Sequence, residues 1–141
     1  MKQHLLLTAV VSCVMAGCDG RSDQEKVQGK WEVWKMNGHF DFDLRPLSMD
    51  AREVLTFDGN KFSYTNNPIS DISGAFVCDP TKSPKQITFT WGDRTIVAIY
   101  AFSGSDLKVC VGNNDATPPA TFAGGPDERP ALIFFRRPNP E

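Results

Sequence analysis

Apolar and polar side chains alternate with a period of two in a succession of short stretches, the pattern of strands that turn one face to a core. Residues 86–91 are the clearest case, with Ile87, Phe89 and Trp91 on one parity and Gln86, Thr88 and Thr90 on the other. The same reading gives strands at 30–36 (Trp31 and Val33), 54–58 (Leu55 and Phe57) and 61–65 (Phe62 and Tyr64). Further strands fall at 71–79 (Ile72, Gly74, Phe76, Cys78), 107–111 (Leu107, Val109, Val111) and 131–137. Residues 95–102 are apolar on both parities, which predicts a strand covered on its two faces. Asp58-Gly59-Asn60, Gly92-Asp93 and Gly104-Ser105-Asp106 are tight-turn signals between neighbouring strands. Residues 47–53 fit one or two helical turns with Ser48 as N-cap, and no long amphipathic helix is present.

Eight strands joined mostly by short turns predict an all-β fold, an eight-stranded antiparallel up-and-down barrel with at most one short helix. Closure of the sheet removes its edges. A two-sheet sandwich would show similar turn spacing and is the rival architecture. Trp31, Phe57, Phe62, Tyr64, Phe76, Phe89 and Trp91 share the inward parity. An eight-stranded barrel has room for its own side chains or one small ligand, so this many rings predicts a largely filled interior with a small residual cavity.

Composition adds little to the fold but narrows the class. The 141 residues are 40% hydrophobic and 11% aromatic, enough apolar mass for one core. A net charge of −2 argues against a nucleic-acid binder, which would carry a basic face.

The first residues read as an address. Lys2 precedes the apolar run Leu5-Leu6-Leu7-Thr8-Ala9-Val10-Val11, followed by Met15-Ala16-Gly17-Cys18. The run is too short for a membrane span of ~20 residues. With its lipobox, it resembles a bacterial lipoprotein signal, in which the cysteine becomes the acylated first residue. The expected organisation is a signal peptide at 1–17, lipidated Cys18 and a flexible tether through residue 26, a barrel at 27–137 and a tail at 138–141. Asp19 resembles an inner-membrane retention signal and weights the localisation toward the inner membrane, on its periplasmic face. Of the four cysteines, Cys78 and Cys110 then remain; they fall on opposite parities of non-neighbouring strands, so two free thiols and no disulfide are expected.

Two resemblances follow. Gly29-Lys30-Trp31 on the first strand is similar to the lipocalin G-x-W, and Arg136 or Arg137 on the last strand could match the lipocalin arginine that packs across that tryptophan. More broadly, Val27 to Trp31, Leu55 to Phe62, Asp79 to Ile87, Ile99 to Cys110 and Phe135 to Arg137 resemble an uncharacterised lipocalin-like domain family known largely from Planctomycetes. That resemblance implies a lipocalin-like barrel in exported proteins with no established activity. The chain departs from the family pattern at Pro118-Pro119-Ala120-Thr121-Phe122, which lacks an arginine, and at Cys78, where an aliphatic residue is usual.

Candidate chemistry is sparse. Asp79, Lys82, Ser83 and Lys85 share one loop but lack a histidine partner, and a solvated loop set by Pro80 and Pro84 is expected. Asp41, Asp43 and Asp50 lack the spacing of a calcium loop, and His39 is the only histidine beyond the signal, so no metal is expected. Cys110 has only Lys108 nearby as a cation that could activate it. Residues 113–130, with Pro118-Pro119 and Gly124-Gly125, are long enough for a lid, or for a loop laid flat at the barrel mouth and pinned by Phe122. The expected function is non-enzymatic: binding of a small apolar ligand or lipid, without cofactor, by Trp31, Tyr64, Phe76, Tyr100 and Phe122. The alternative is a structural or interaction lipoprotein of the envelope, a scaffold or inhibitor with a filled barrel that acts through its loops. Cavity volume separates the two, an open interior above ~300 Å³ favouring the ligand.

Overall fold

The computed structural model describes residues 20–37, 53–66, 70–125 and 129–139. The signal segment, Cys18, Asp19, His39 and the acidic residues 41, 43 and 50 lie outside these, as do residues 47–52 of the expected helical turns; Glu53, the last of that stretch, opens a strand.

The chain opens with a single-turn helix, α1 (Asp23–Lys26), followed by β1 (Gly29–Asn37), β2 (Glu53–Asp58), β3 (Lys61–Asn66) and β4 (Ser70–Asp79). Then come β5 (Gln86–Trp91), β6 (Arg94–Ser103), β7 (Asp106–Val111) and β8 (Ala131–Arg136). Each strand pairs antiparallel with the next, and β8 returns to β1, so the sheet is a closed lipocalin-like barrel in simple up-and-down order. The period-two pattern sets the register. Trp31 stands opposite Leu55, Phe57 opposite Phe62, and Phe76 opposite Phe89, every one of them turned inward.

Closure requires one irregularity. The β1–β8 register slips between Val33 and Lys35, which makes Trp34 the extra residue of a bulge and turns its half-exposed ring outward beside Phe134. Met36 thereby returns to the inside and packs on the core.

Rings fill the barrel. Tyr64, Tyr100, Phe57, Phe62, Phe89 and Phe135 are all less than 2% exposed. Phe57 meets Phe76 with centroids 4.4 Å apart, and Phe62 meets Phe89 edge-on at 5.1 Å. Gly74 makes that density possible: a β-carbon there would sit 2.0 Å from the Thr90 carbonyl oxygen and 2.9 Å from Trp91 Cβ. The glycine marks a corner where β5 crosses close over β4.

A second, smaller cluster lies on the outer wall, where Ile99, Cys110 and Leu132 are covered by Phe122 and Phe134. This explains why β6 is apolar on both parities. The described part of the connection after β7 is therefore laid along the outside of β6, β7 and β8, and Phe122 pins it to that wall, away from the mouth where the sequence reading put it. Asp115 fastens the connection: it accepts from Arg94 Nε at 2.8 Å and Arg129 Nη1 at 2.8 Å, and its carbonyl accepts from Val97 N at 2.9 Å.

Replacing Gly74 with alanine forces backbone apart rather than a flexible side chain, and should cost at least about 2 kcal/mol. Urea unfolding of the variant measures this; a loss below about 0.5 kcal/mol would contradict the close crossing.

Candidate functional site

One end of the barrel gathers the N-terminal segment, the β2–β3, β4–β5 and β6–β7 turns and the end of β8. The expected flexible tether ends early here, because from Ser22 onward the chain is built into the body. Ser22 and Glu25 form a capping box: Glu25 N donates to Ser22 Oγ at 3.1 Å, and Ser22 N donates to Glu25 Oε1 at 3.5 Å. A four-residue helix is marginal alone, so tertiary contacts must hold it.

Those contacts are polar and specific. Gln24 Oε1 accepts from Cys78 N at 3.0 Å, while Gln28 accepts from Gly59 N at 2.7 Å and donates to Gly59 O at 2.8 Å. Asp23 is buried, and its Oδ2 accepts from the Tyr100 hydroxyl at 2.6 Å and from Lys85 Nζ at 3.0 Å. Lys26 approaches the other carboxylate oxygen at 3.8 Å. Burial alone would raise the Asp23 carboxyl, but the Tyr100 and Lys85 hydrogen bonds and the charge of Lys85 outweigh it and hold the group below its ordinary range. The same burial, with the hydrogen bond to Asp23, pushes the Tyr100 phenol far upward. Burial also lifts the Cys78 thiol to about 11, against a lowering contact with Tyr100. At neutral pH the cluster is thus a carboxylate enclosed by donors, beside a phenol and a thiol that keep their protons.

Around the corner of the same end, the G-x-W residues explain themselves. Trp31 Nε1 donates to Val27 O at 2.7 Å, and the Arg137 guanidinium lies 3.7 Å from the Trp31 ring centre. Arg137 also donates to the carbonyls of Lys26, Gln28 and Lys30 at 3.0, 2.8 and 3.2 Å. Gly29 has a φ of 101°, and a β-carbon there would press on Arg137 at 3.1 Å. Of the two arginines left open by the sequence, Arg137 is the one that covers the tryptophan; Arg136 is exposed and faces outward.

The five expected ligand-lining residues do not converge on one pocket. Trp31, Tyr64, Phe76 and Tyr100 are at most 4% exposed and belong to the filled core. Phe122 is outside the barrel, with Lys108 Nζ 4.4 Å over its ring. Lys108 therefore serves Phe122, and burial pushes the Cys110 thiol upward, against its weak contact with the Ala123 carbonyl. Both Cys78 and Cys110 are free thiols, one facing the interior and the other beneath Phe122. Lys85, expected as a solvated loop residue, is an ion-pair partner of a buried acid. Asp23 and Gln24 escaped notice because they sit in a polar run with no apolar period; Ser22-Asp23-Gln24-Glu25 carries the capping-box spacing that could have found them.

Two surface clefts flank Lys26 at this end. One, about 370 Å³, is lined by Arg21, Lys26, Trp31, Phe102, Ser105 and Arg137, along with Gly104. The other, about 510 Å³, lies between the β4–β5 loop and the outer wall and is lined by Lys26, Lys82, Lys85, Tyr100, Phe102 and Phe122, with Ala101 and loop residues. Among the described residues, no group of three or more His, Cys, Asp or Glu is placed to hold a metal ion, and no helix is long and apolar enough to cross a membrane. No family model, curated protein or solved structure matches the chain.

Arg137→Ala should cost about 1–3 kcal/mol in equilibrium unfolding, since it strips three carbonyls of a donor and uncovers Trp31, whereas Arg136→Ala should change stability by less than about 0.5 kcal/mol. Equal effects would reverse the assignment. The folded Asp23 and Asp115 carboxyls both titrate below 3.8, Asp23 through Tyr100 and Lys85, Asp115 through Arg94 and Arg129. The unfolded chain therefore binds more protons in the interval below that value. Stability should be intact above about pH 4 and fall as the pH drops further, with a shallower fall in Asp23→Asn. An identical acid profile for that variant would remove Asp23 from the account.

Proposed function

We propose that the chain is an extracytoplasmic lipoprotein, acylated at Cys18, whose lipocalin-like barrel is a rigid, non-catalytic interaction module that works through its outer surface and loops. The observation that carries this reading is the interior itself: six aromatic rings are buried to below 2% exposure in the space a ligand would need. The clefts beside Lys26, of about 370 and 510 Å³, and a third of about 290 Å³ lined by Gly112, Asn113, Pro118, Pro119 and Pro130, open at the surface or the rim. The Asp23 cluster supports a non-catalytic role, because its carboxylate is enclosed and its phenol and thiol retain their protons near neutrality. The lipocalin-like family resemblance is supported by Gly29, Trp31 and Arg137, which meet at the base of the barrel. Asp19 favours retention in the inner membrane, on its outer face.

Native mass spectrometry of the chain from residue 18 onward, with Cys18→Ser, should give the bare polypeptide mass. A stoichiometric apolar molecule that survives purification would instead favour a ligand carrier and overturn the filled-barrel reading. In the native host, the unaltered chain should incorporate labelled fatty acid and fractionate with membranes, and Cys18→Ser should release it to the soluble fraction. Membrane retention of that variant would count against the anchor.

A further inference from the structure

Cations are unevenly distributed over this molecule. The whole chain has a net charge of −2, yet the end that carries α1 presents Arg21, Lys26, Lys82, Lys85, Arg136 and Arg137. Its acids are Asp23, Glu25, Asp58, Asp79 and Asp106, with Glu32 opposite Arg136, and three of them are engaged within the fold. Asp23 is buried beneath Lys85, Glu25 closes the α1 capping box, and Asp79 accepts from Thr81. Five of these cations line the two clefts beside Lys26, whose shared floor includes the Phe102 ring. Arg21 lies near enough to Arg137 that, after burial, its charge is the second influence lowering the Arg137 guanidinium. Cations brought together over aromatic floors form a receptor for anions that carry an apolar body.

The chain itself supplies the occupant's position. Only Asp19 and Gly20 stand between Cys18 and Arg21, and a chain reaches at most about 3.6 Å per residue, so three steps keep the cysteine within about 11 Å of Arg21. The α1 segment cannot pay out as a longer tether while Asp23, Gln24 and Gln28 hold it to the barrel. We infer that the α1 end of the barrel docks against the membrane, with lipid phosphates seated among Arg21, Lys26 and Arg137 on one side of Phe102 and Lys82 and Lys85 on the other. The opposite end, with Asp93 and Asp115, then points away from the bilayer. Attraction of basic residues to an anionic leaflet acts within a Debye length, about 10 Å at 0.1 M salt, a length comparable to the fullest reach from Cys18 to Arg21. The inference rests on anchoring through Cys18, but its test does not use the lipid.

The described strands all lie between Gly29 and Arg136 and their sheet closes on itself, so the chain from residue 18 onward carries the whole barrel. That chain, with Cys18→Ser, is sedimented with vesicles of phosphatidylcholine alone or with about 30 mol % phosphatidylglycerol. Partitioning onto the anionic vesicles should be about ten-fold stronger or more at 0.1 M salt and should vanish near 0.5 M. Arg21→Glu with Lys82→Glu, both in exposed positions, should lower it about ten-fold with an unchanged melting temperature, and Arg21→Gln with Lys82→Gln should lower it less. Lys35→Glu, an equal charge change toward the far end of β1, should alter it less than about two-fold. Equal binding to both vesicle types, or an equal loss in Lys35→Glu, would overturn the docking. So would retention on soluble polyglutamate without vesicle binding, which would reassign the surface to an acidic protein. Failure of acyl labelling at Cys18 with intact vesicle binding would instead remove the anchor and leave the surface.

Discussion

A carboxylate taken out of water must find donors or lose its charge, and the base of this barrel is organised around that demand. Asp23 is satisfied by a phenol from β6 and an ammonium from the β4–β5 loop, two groups that sequence separates from it by 77 and 62 positions. If α1 detaches, the buried Tyr100 hydroxyl loses its carboxylate acceptor. The pairing therefore makes a four-residue helix, too short to persist alone, a fixed part of the domain. Gln24 and Gln28 extend the same logic by capping backbone groups at the β2–β3 turn and on β4.

Fixing α1 has consequences in both directions along the molecule. Inward, it seals the base over a core of rings, and Gly74 and the Trp34 bulge supply the two irregularities that closing and filling the sheet require. Outward, it places Lys26 between two clefts and brings the last residues before β1 under Arg137, which joins the end of the sheet to its beginning over Trp31. The result is a barrel with two different ends. One is closed, cationic and next to the start of the domain. The other carries the β5–β6 turn and the start of the connection after β7, which is strapped to the outer wall by Asp115, Phe122 and the paired arginines.

Strand positions were legible to within a residue or so because period two is a strong signal and the turns carry Asp-Gly, Gly-Asp or Gly-Ser. Even the double burial of β6 showed in residues 95–102, although what covered its outer face did not. Phe122 illustrates the reason: an isolated ring in a Pro/Gly-rich stretch has no parity, so sequence alone cannot tell mouth from outer wall. The ring-rich inward face did anticipate the filled interior, while Trp31, Tyr64, Phe76 and Tyr100 looked like ligand contacts only when taken apart from their neighbours. The base was the least legible region. Residues 19–25 have the composition of a linker, and the pairing of Asp23 with Tyr100 and Lys85 is a tertiary fact that no local pattern encodes. Only the Ser22–Glu25 spacing hinted at order there.

Whether residues 23–28 belong to the barrel or to a tether is what the account turns on, and amide hydrogen exchange reads it directly. With Asp23 held by Tyr100 and Lys85, the amides of Val27 and Gln28, which donate to Asp23 O and Glu25 O, should be protected by about a hundred-fold or more. In Tyr100→Phe that protection should fall while the β5 and β6 amides keep theirs. Exchange of Val27 and Gln28 at the rate of an unstructured chain in the unaltered protein would contradict the account.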